Sequence, residues 1–148
     1  MMSDQFILYG ATVERSTDGT TWEAIPECKS IAVPAVETDY QEATSLDSPD
    51  GFKEYVKGLK DAGVISLSCG YTPAGYEQQL SDQAETAAIY YRTTLPPAPS
   101  QSSGDVFEFR GFPTPQPEGS DVGGIVGMTI SIRTTGGVDW TRGTAAGA

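Results

Sequence analysis

The segment 64–71, VISLSCGY, alternates without a break. Ile65, Leu67, Cys69 and Tyr71 fall on one side, and Val64, Ser66 and Ser68 on the other. Side chains of a strand point to opposite faces in turn, so this spacing predicts a half-buried antiparallel strand. The segment 125–135, IVGMTISIRTT, repeats the pattern, with Val126, Met128, Ile130 and Ile132 opposing Gly127, Thr129, Ser131 and Arg133. Two strands of this kind call for a sheet with one wet face.

The rest of the chain agrees. Residues 6–15 read as a strand kinked at Gly10, and Asp18-Gly19 is a hairpin signal into a return strand at 20–25. Residues 29–33 and 36–40 read as short strands around Pro34. Residues 86–95 and 105–112 are strand-like, the latter with Phe107 and Phe109 inward. "PPAPSQSSG" and "PTPQPEGSDVGG" read as loops. Thr72-Pro73 opens one helix, threonine as N-cap and proline in the first turn, running to about Glu85 with Tyr76, Leu80 and Ala84 as its stripe. The expected fold is mainly β: an antiparallel sandwich or barrel of about seven or eight strands with one short packed helix and a long loop.

The long loop is the most polar run in the chain, residues 44–63, TSLDSPDGFKEYVKGLKDAG. Loops longer than about 12–15 residues in a compact domain are usually functional or disordered. Within it Phe52, Val56 and Leu59 share a helical spacing, which predicts one or two amphipathic turns over 52–60, weakened by Gly58. Its Phe52, Tyr55, Val56 and Leu59 are apolar enough to bury against a partner. Lys53, Lys57 and Lys60 are three of nine basic residues in a chain with twenty acids and a net charge of −11. The loop of one copy docking on the acidic body of another is therefore the economical reading; a solvated insertion is the plain one. Residues 138–148 read as a flexible arm carrying Trp140.

The chemistry that is missing narrows the function. There is no histidine, hence no Ser-His or Cys-His arrangement. No phosphate loop, nucleophile elbow or metal spacing occurs. Asp47, Asp50 and Glu54 imitate part of a calcium loop but miss its twelve-residue pattern. Cys28 and Cys69 form no CxxC pair and read as small apolar residues on strands. An acidic chain of this kind is not built to grip phosphates. No catalytic residue, metal or cofactor is expected. No apolar run approaches the roughly 20 residues of a membrane span, and the N-terminus lacks the form of a secretory signal, so synthesis in a cytoplasm is expected.

The order ETDYQEATSLDSPDGFKEYVKGLKDAGVISLSCGYTP resembles the corresponding segment of the major tail, or tail-tube, proteins of long non-contractile-tailed, lambda-like bacteriophages. In these a strand leads to a Thr-x-x-Asp-Ser/Gly-type turn, then a loop ending Gly-Leu-x-Asp-x-Gly, then an alternating strand. The likeness continues through PAGYEQQL, YYRTTLP, FEFRGFP and GMTISIRTTGG, over residues 6–137. It implies a tube domain at 1–137 with its long loop at 41–63. It implies hexameric rings of this chain stacked into a hollow tube, with DNA passing through a negatively lined lumen without specific binding. Asp47, Asp50, Phe52, Lys53, Tyr55, Lys57, Leu59 and Lys60 would form the ring-stacking loop. Glu37, Asp39 and Glu42 would be lumen or ring-contact acids, and Trp140 an arm contact. Partners would be further copies and the tail-tip initiator, tape-measure and terminator proteins; the site of action would be the virion, after assembly in the bacterial cytoplasm. Other readings stay open: a different ring component of a phage tail, secretion tube or gene-transfer particle, or a monomeric β-sandwich binding module using Tyr90, Tyr91 and Phe112.

Overall fold

Strand β5 (Val64–Gly70) forms where the alternation places it, with Leu67 and Cys69 buried and Ser66 and Ser68 exposed. A computed structural model describes residues 5–31, 33–44, 51–119 and 122–146. The other elements are β1 (Thr12–Ser16), β2 (Glu23–Ala24), β3 (Glu37–Glu42), β4 (Tyr55–Asp61), α1 (Pro73–Ala84), β6 (Ile89–Thr94), β7 (Val106–Glu118) and β8 (Gly127–Thr141). Six strands make one antiparallel sheet in the order β2-β1-β6-β7-β8-β5, curled into a half-barrel; β3 and β4 make a separate two-stranded sheet. The mainly β fold with one short helix is thus the one the sequence predicts.

The inner face of the large sheet carries the core. Val13, Ile25, Leu67, Cys69, Ile89, Tyr91, Phe109, Met128, Ile130 and Ile132 form one cluster. The Tyr91 and Phe109 rings stack at 5.5 Å. Helix α1 starts as expected: the Thr72 hydroxyl accepts from Gly75 N at 3.0 Å, and Pro73 occupies the first turn. Of the expected stripe only Tyr76 packs against the core. Gly75, Gln79 and Asp82 point inward, while Leu80 and Ala84 are exposed. The reason lies 67 residues away, where Arg15 of β1 meets Asp82 with two donors, Nε to Oδ2 at 2.6 Å and Nη2 to Oδ1. A buried carboxylate needs such a partner, so the helix turns its polar edge to the sheet.

The two strands β7 and β8 run further than the sequence predicts. β7 continues through Pro113, Pro115 and Pro117, opposite Ile132, Ile130 and Met128 of β8. On its other side β6 ends opposite Gly111, so the prolines beyond sit where no ladder bond is lost. β8 starts at Gly127, leaving Val126 exposed rather than inward, and continues to Thr141 past an irregularity between Glu108 and Arg110 of β7. The stretch expected as a loose arm is therefore largely strand. Trp140 pairs with Phe107, and beyond the strand Ser102 N donates to Thr144 O and Ala146 N to Ser100 O, both at 2.8 Å.

The chain after β2 joins the two edges of the sheet. Ile25 N still bonds Val13 O on the β1 side at 2.9 Å. A few residues later Lys29 N donates to Ser68 O at 2.8 Å and Gly70 N to Glu27 O at 2.7 Å, on the free side of β5. Residues 27–30 thus make a seam between one edge and the other. Glu27 holds a left-handed backbone, φ 59°, to make this turn.

Candidate assembly surface

The strand expected at 36–40 forms as β3, but residues 52–60, expected as amphipathic turns, largely form strand β4, which pairs with β3 in a hairpin. β3 and β4 pair in the register Glu42↔Tyr55, Gln41↔Val56, Tyr40↔Lys57, Thr38↔Lys60 and Glu37↔Asp61. Between Thr38 and Tyr40 the register slips, so β4 spends one residue more than β3 at Gly58 and Leu59, opposite Asp39. A side chain at Gly58 would meet the Asp39 backbone oxygen at 3.3 Å, which suits glycine to the bulge. The bulge explains the misreading: inserting a residue into a period of two gives Phe52, Val56 and Leu59 the spacing of a helix face.

The bulge also sorts the side chains. Residues directly opposite each other share a face. One face carries Tyr40, Glu42, Tyr55, Lys57, Lys60 and Thr38; the other carries Glu37, Asp39, Gln41, Val56, Leu59 and Asp61. The ribbon therefore has a lysine–tyrosine face and a carboxylate–aliphatic face. Both are open to solvent, and Leu59 is 85% exposed. Phe52, 72% exposed, and Lys53 precede β4. Asp47 and Asp50 lie outside the described residues.

Among the described residues the hairpin is tied to the large sheet at its root. Thr134 N donates to Gly63 O at 3.1 Å, and Arg133 reaches Asp61 at 3.2 Å. The Gly63 N–H, and after it Arg133, holds the Asp61 carboxyl below the usual carboxylate range. Glu37 and Asp61 stand opposite each other, a repulsive pair that Arg133 offsets on the Asp61 side. A two-stranded ribbon with two wet faces and two unpaired edges is marginal in water.

Of the acids expected at a lumen or ring contact, Glu37 and Asp39 lie on the carboxylate face of this hairpin and Glu42 on the lysine face; none is on the large sheet. Trp140 lies on β8, 56% exposed. The polar outer face of the large sheet is the wet face that the alternation of β5 and β8 predicts. Across β5, β8 and β7 it carries rows of short polar groups, Ser66–Ser131–Thr114 and Ser68–Thr129–Gln116. Toward β1 the rows become charged: Glu14, Arg92, Glu108 and Asp139 stand in line, with Arg92 bonded to Glu14 at 3.0 Å and lying over the Trp22 ring at 4.3 Å. Tyr90, Tyr91 and Phe112 do not make one aromatic site: Tyr91 is buried in the core, whereas Phe112 is exposed beyond the end of β6. Among the described residues no group of three or more potential metal ligands occurs.

No family model and no curated protein matches the chain. Solved structures do. A chain of the anti-feeding prophage baseplate, resolved with 6-fold symmetry, superposes with a TM-score of 0.70 at 12% identity, covering 95% of this chain and 98% of that one. A chain from the sheath/tube terminator of the extracellular contractile injection system PVC gives 0.69 at 16%, covering 93% and 96%. A chain from the tail of an empty gene transfer agent particle, refined with C6 symmetry, gives 0.66 at 16%, covering 88% and 94%. The chain has the tail-tube fold that these assemblies share.

Proposed function

We propose that this chain is a ring-forming structural subunit of a tail-like tube, the major tube protein of a long non-contractile phage tail. The observation that carries the reading is the hairpin. It is bare on both faces and both edges, and its two faces are electrically complementary. A second copy covers it most economically: lysines 57 and 60 with Tyr40 and Tyr55 of one copy lie against Glu37, Asp39 and Asp61 of the next. Such contacts set register and partner choice more than raw affinity. Glu42, Lys53 and Phe52 border the same contact, while Trp140, on β8 opposite Phe107, would meet a neighbouring copy separately. The polar outer face of the large sheet, which must meet water, lines the channel. Its short hydroxyl rows offer a passing DNA no charge to stick to, and of the three arginines on this face Arg92 and Arg133 are already paired with Glu14 and Asp61, beside Glu108 and Asp139. The repetition of this fold in particles built with six-fold symmetry supports a ring of six.

The test has two parts. Concentrated, aged protein should give hollow tubes or six-fold rings by electron microscopy. Lys57→Glu with Lys60→Glu should lower tube yield at least about tenfold, and adding Glu37→Lys with Asp39→Lys should restore it. A folded charge-reversed protein that still builds tubes at full yield would refute the hairpin contact. A second reading is favoured by the likeness to a terminator and a baseplate chain: a component present as one ring per particle. Copy number separates the two, since a tube subunit recurs along the whole tail.

A further inference from the structure

We infer that Cys28 and Cys69 form a convertible thiol pair whose disulfide staples the seam of the half-barrel and, with it, the root of the assembly hairpin. The inference stands on the chain alone and does not depend on the assembly reading. The two residues are directly opposite in an antiparallel bridge between the segment after β2 and the free edge of β5. The flanking bonds, Lys29 N to Ser68 O and Gly70 N to Glu27 O, make theirs the narrow, non-hydrogen-bonded kind of pair. In that arrangement α-carbons lie about 4.5 Å apart, inside the range a disulfide spans but at its short end. Excess thiol reverses the bond by the same exchange. The sulfurs are 2.6 Å apart, and both thiols are free. These are the only two cysteines of the chain, so no other internal pairing competes.

The oxidant is a small-molecule disulfide. Cys69 is buried in the core, whereas Cys28 is half-buried and lines a cavity of about 380 Å³ beside Leu8, Tyr9 and Ile31. An incoming disulfide therefore meets Cys28 first. The Cys28 thiolate attacks one of its sulfurs, giving a mixed disulfide and releasing one small thiol. The Cys69 thiolate then attacks the Cys28 sulfur, closing the protein disulfide and releasing the second small thiol. Two electrons pass from the cysteine pair to the small disulfide, and the two cysteine protons end on the released thiols. The hydrogen bond between the thiols and then burial raise Cys28 above the ordinary range, while the same bond lowers Cys69. Both attacks need a thiolate, so the exchange quickens as the pH rises.

The staple matters because of what it encloses. The two cysteines are 41 positions apart, and the stretch between them contains the whole β3–β4 hairpin. Closing it restricts the unfolded chain and fixes the hairpin's root.

The experiment uses the full chain incubated at about pH 8.5 in reduced and in oxidised glutathione, read by intact mass after alkylation and by thermal melting. The expected result is an intramolecular disulfide that blocks both thiols, lowers the mass by about 2 Da, and raises the melting temperature by roughly 10 °C. Cys28→Ser, which leaves the core cysteine in place, should abolish the rise. Two alkylatable thiols after a day's incubation would overturn the inference, as would a glutathione adduct that persists on Cys28, a disulfide between chains, or a disulfide with no effect on melting. The mass readout on the unsubstituted chain decides the matter even if the variant folds poorly.

Discussion

Asp18 holds the β1–β2 turn with a single oxygen. The N–H groups of Thr21 and Thr20 and the Ser16 hydroxyl all donate to it, at 2.9, 2.8 and 2.8 Å, and hold its carboxyl far below the usual range. Asp105 is lowered in the same way by Gly143 N and Gln101, and Asp61 by Gly63 N. A carboxyl depressed in the folded state adds stability above its unfolded value, near 4, and loses it as pH falls. Asp82 works the other way: burial raises its carboxyl against the pull of Arg15, so taking up its proton softens the fall. The melting temperature should therefore drop between about pH 5 and pH 2, and Asp18→Asn should flatten that drop. Gly111 makes a different kind of demand. A side chain there would lie 2.5 Å from Ile132 Cγ2 and 2.7 Å from Arg133 O of the paired strand β8. Gly111→Ala should cost about 1–3 kcal/mol in denaturant unfolding, because neither neighbour is free to retreat.

Elements whose signals are local were legible in the chain. The alternation of β5 and β8 and the Thr72-Pro73 opening of α1 need no distant partner to be read. What failed depended on residues far away or on a broken period. The inward face of α1 is set by Arg15, which no helical spacing reveals. The bulge at Gly58 and Leu59 disguised β4 as helix, so the residues named for the candidate site carried no sign of their two-faced arrangement. The prolines of β7 read as a loop because proline is barred from central strands, yet this stretch is an edge. From Arg110 to Glu118 its register with β8 is regular, so Pro113, Pro115 and Pro117 turn their donor-less nitrogens away from β8. That side offers carbonyls but no N–H at every second residue, which blunts strand addition. Pro115→Val with Pro117→Val restores two donors there. The double variant should associate with rising concentration in sedimentation velocity while its circular dichroism stays unchanged; a persistent monomer would mean that something other than proline guards the edge.

At the scale of the whole molecule, the large sheet is a finished object and the hairpin an unfinished one. The sheet buries its apolar face under α1 and turns hydroxyls outward; the hairpin does neither. A ribbon with lysines on one side and carboxylates on the other cannot meet its own likeness across a two-fold axis, since that would set like charges together. In the assembly proposed above, copies would therefore repeat in one sense, each covering the next. Such a stack has an arrow. One terminus shows uncovered lysines and tyrosines, the other uncovered carboxylates and leucines. Starting a column and stopping it are then separate tasks of recognition, and a protein shaped to finish one terminus has no purchase on the other.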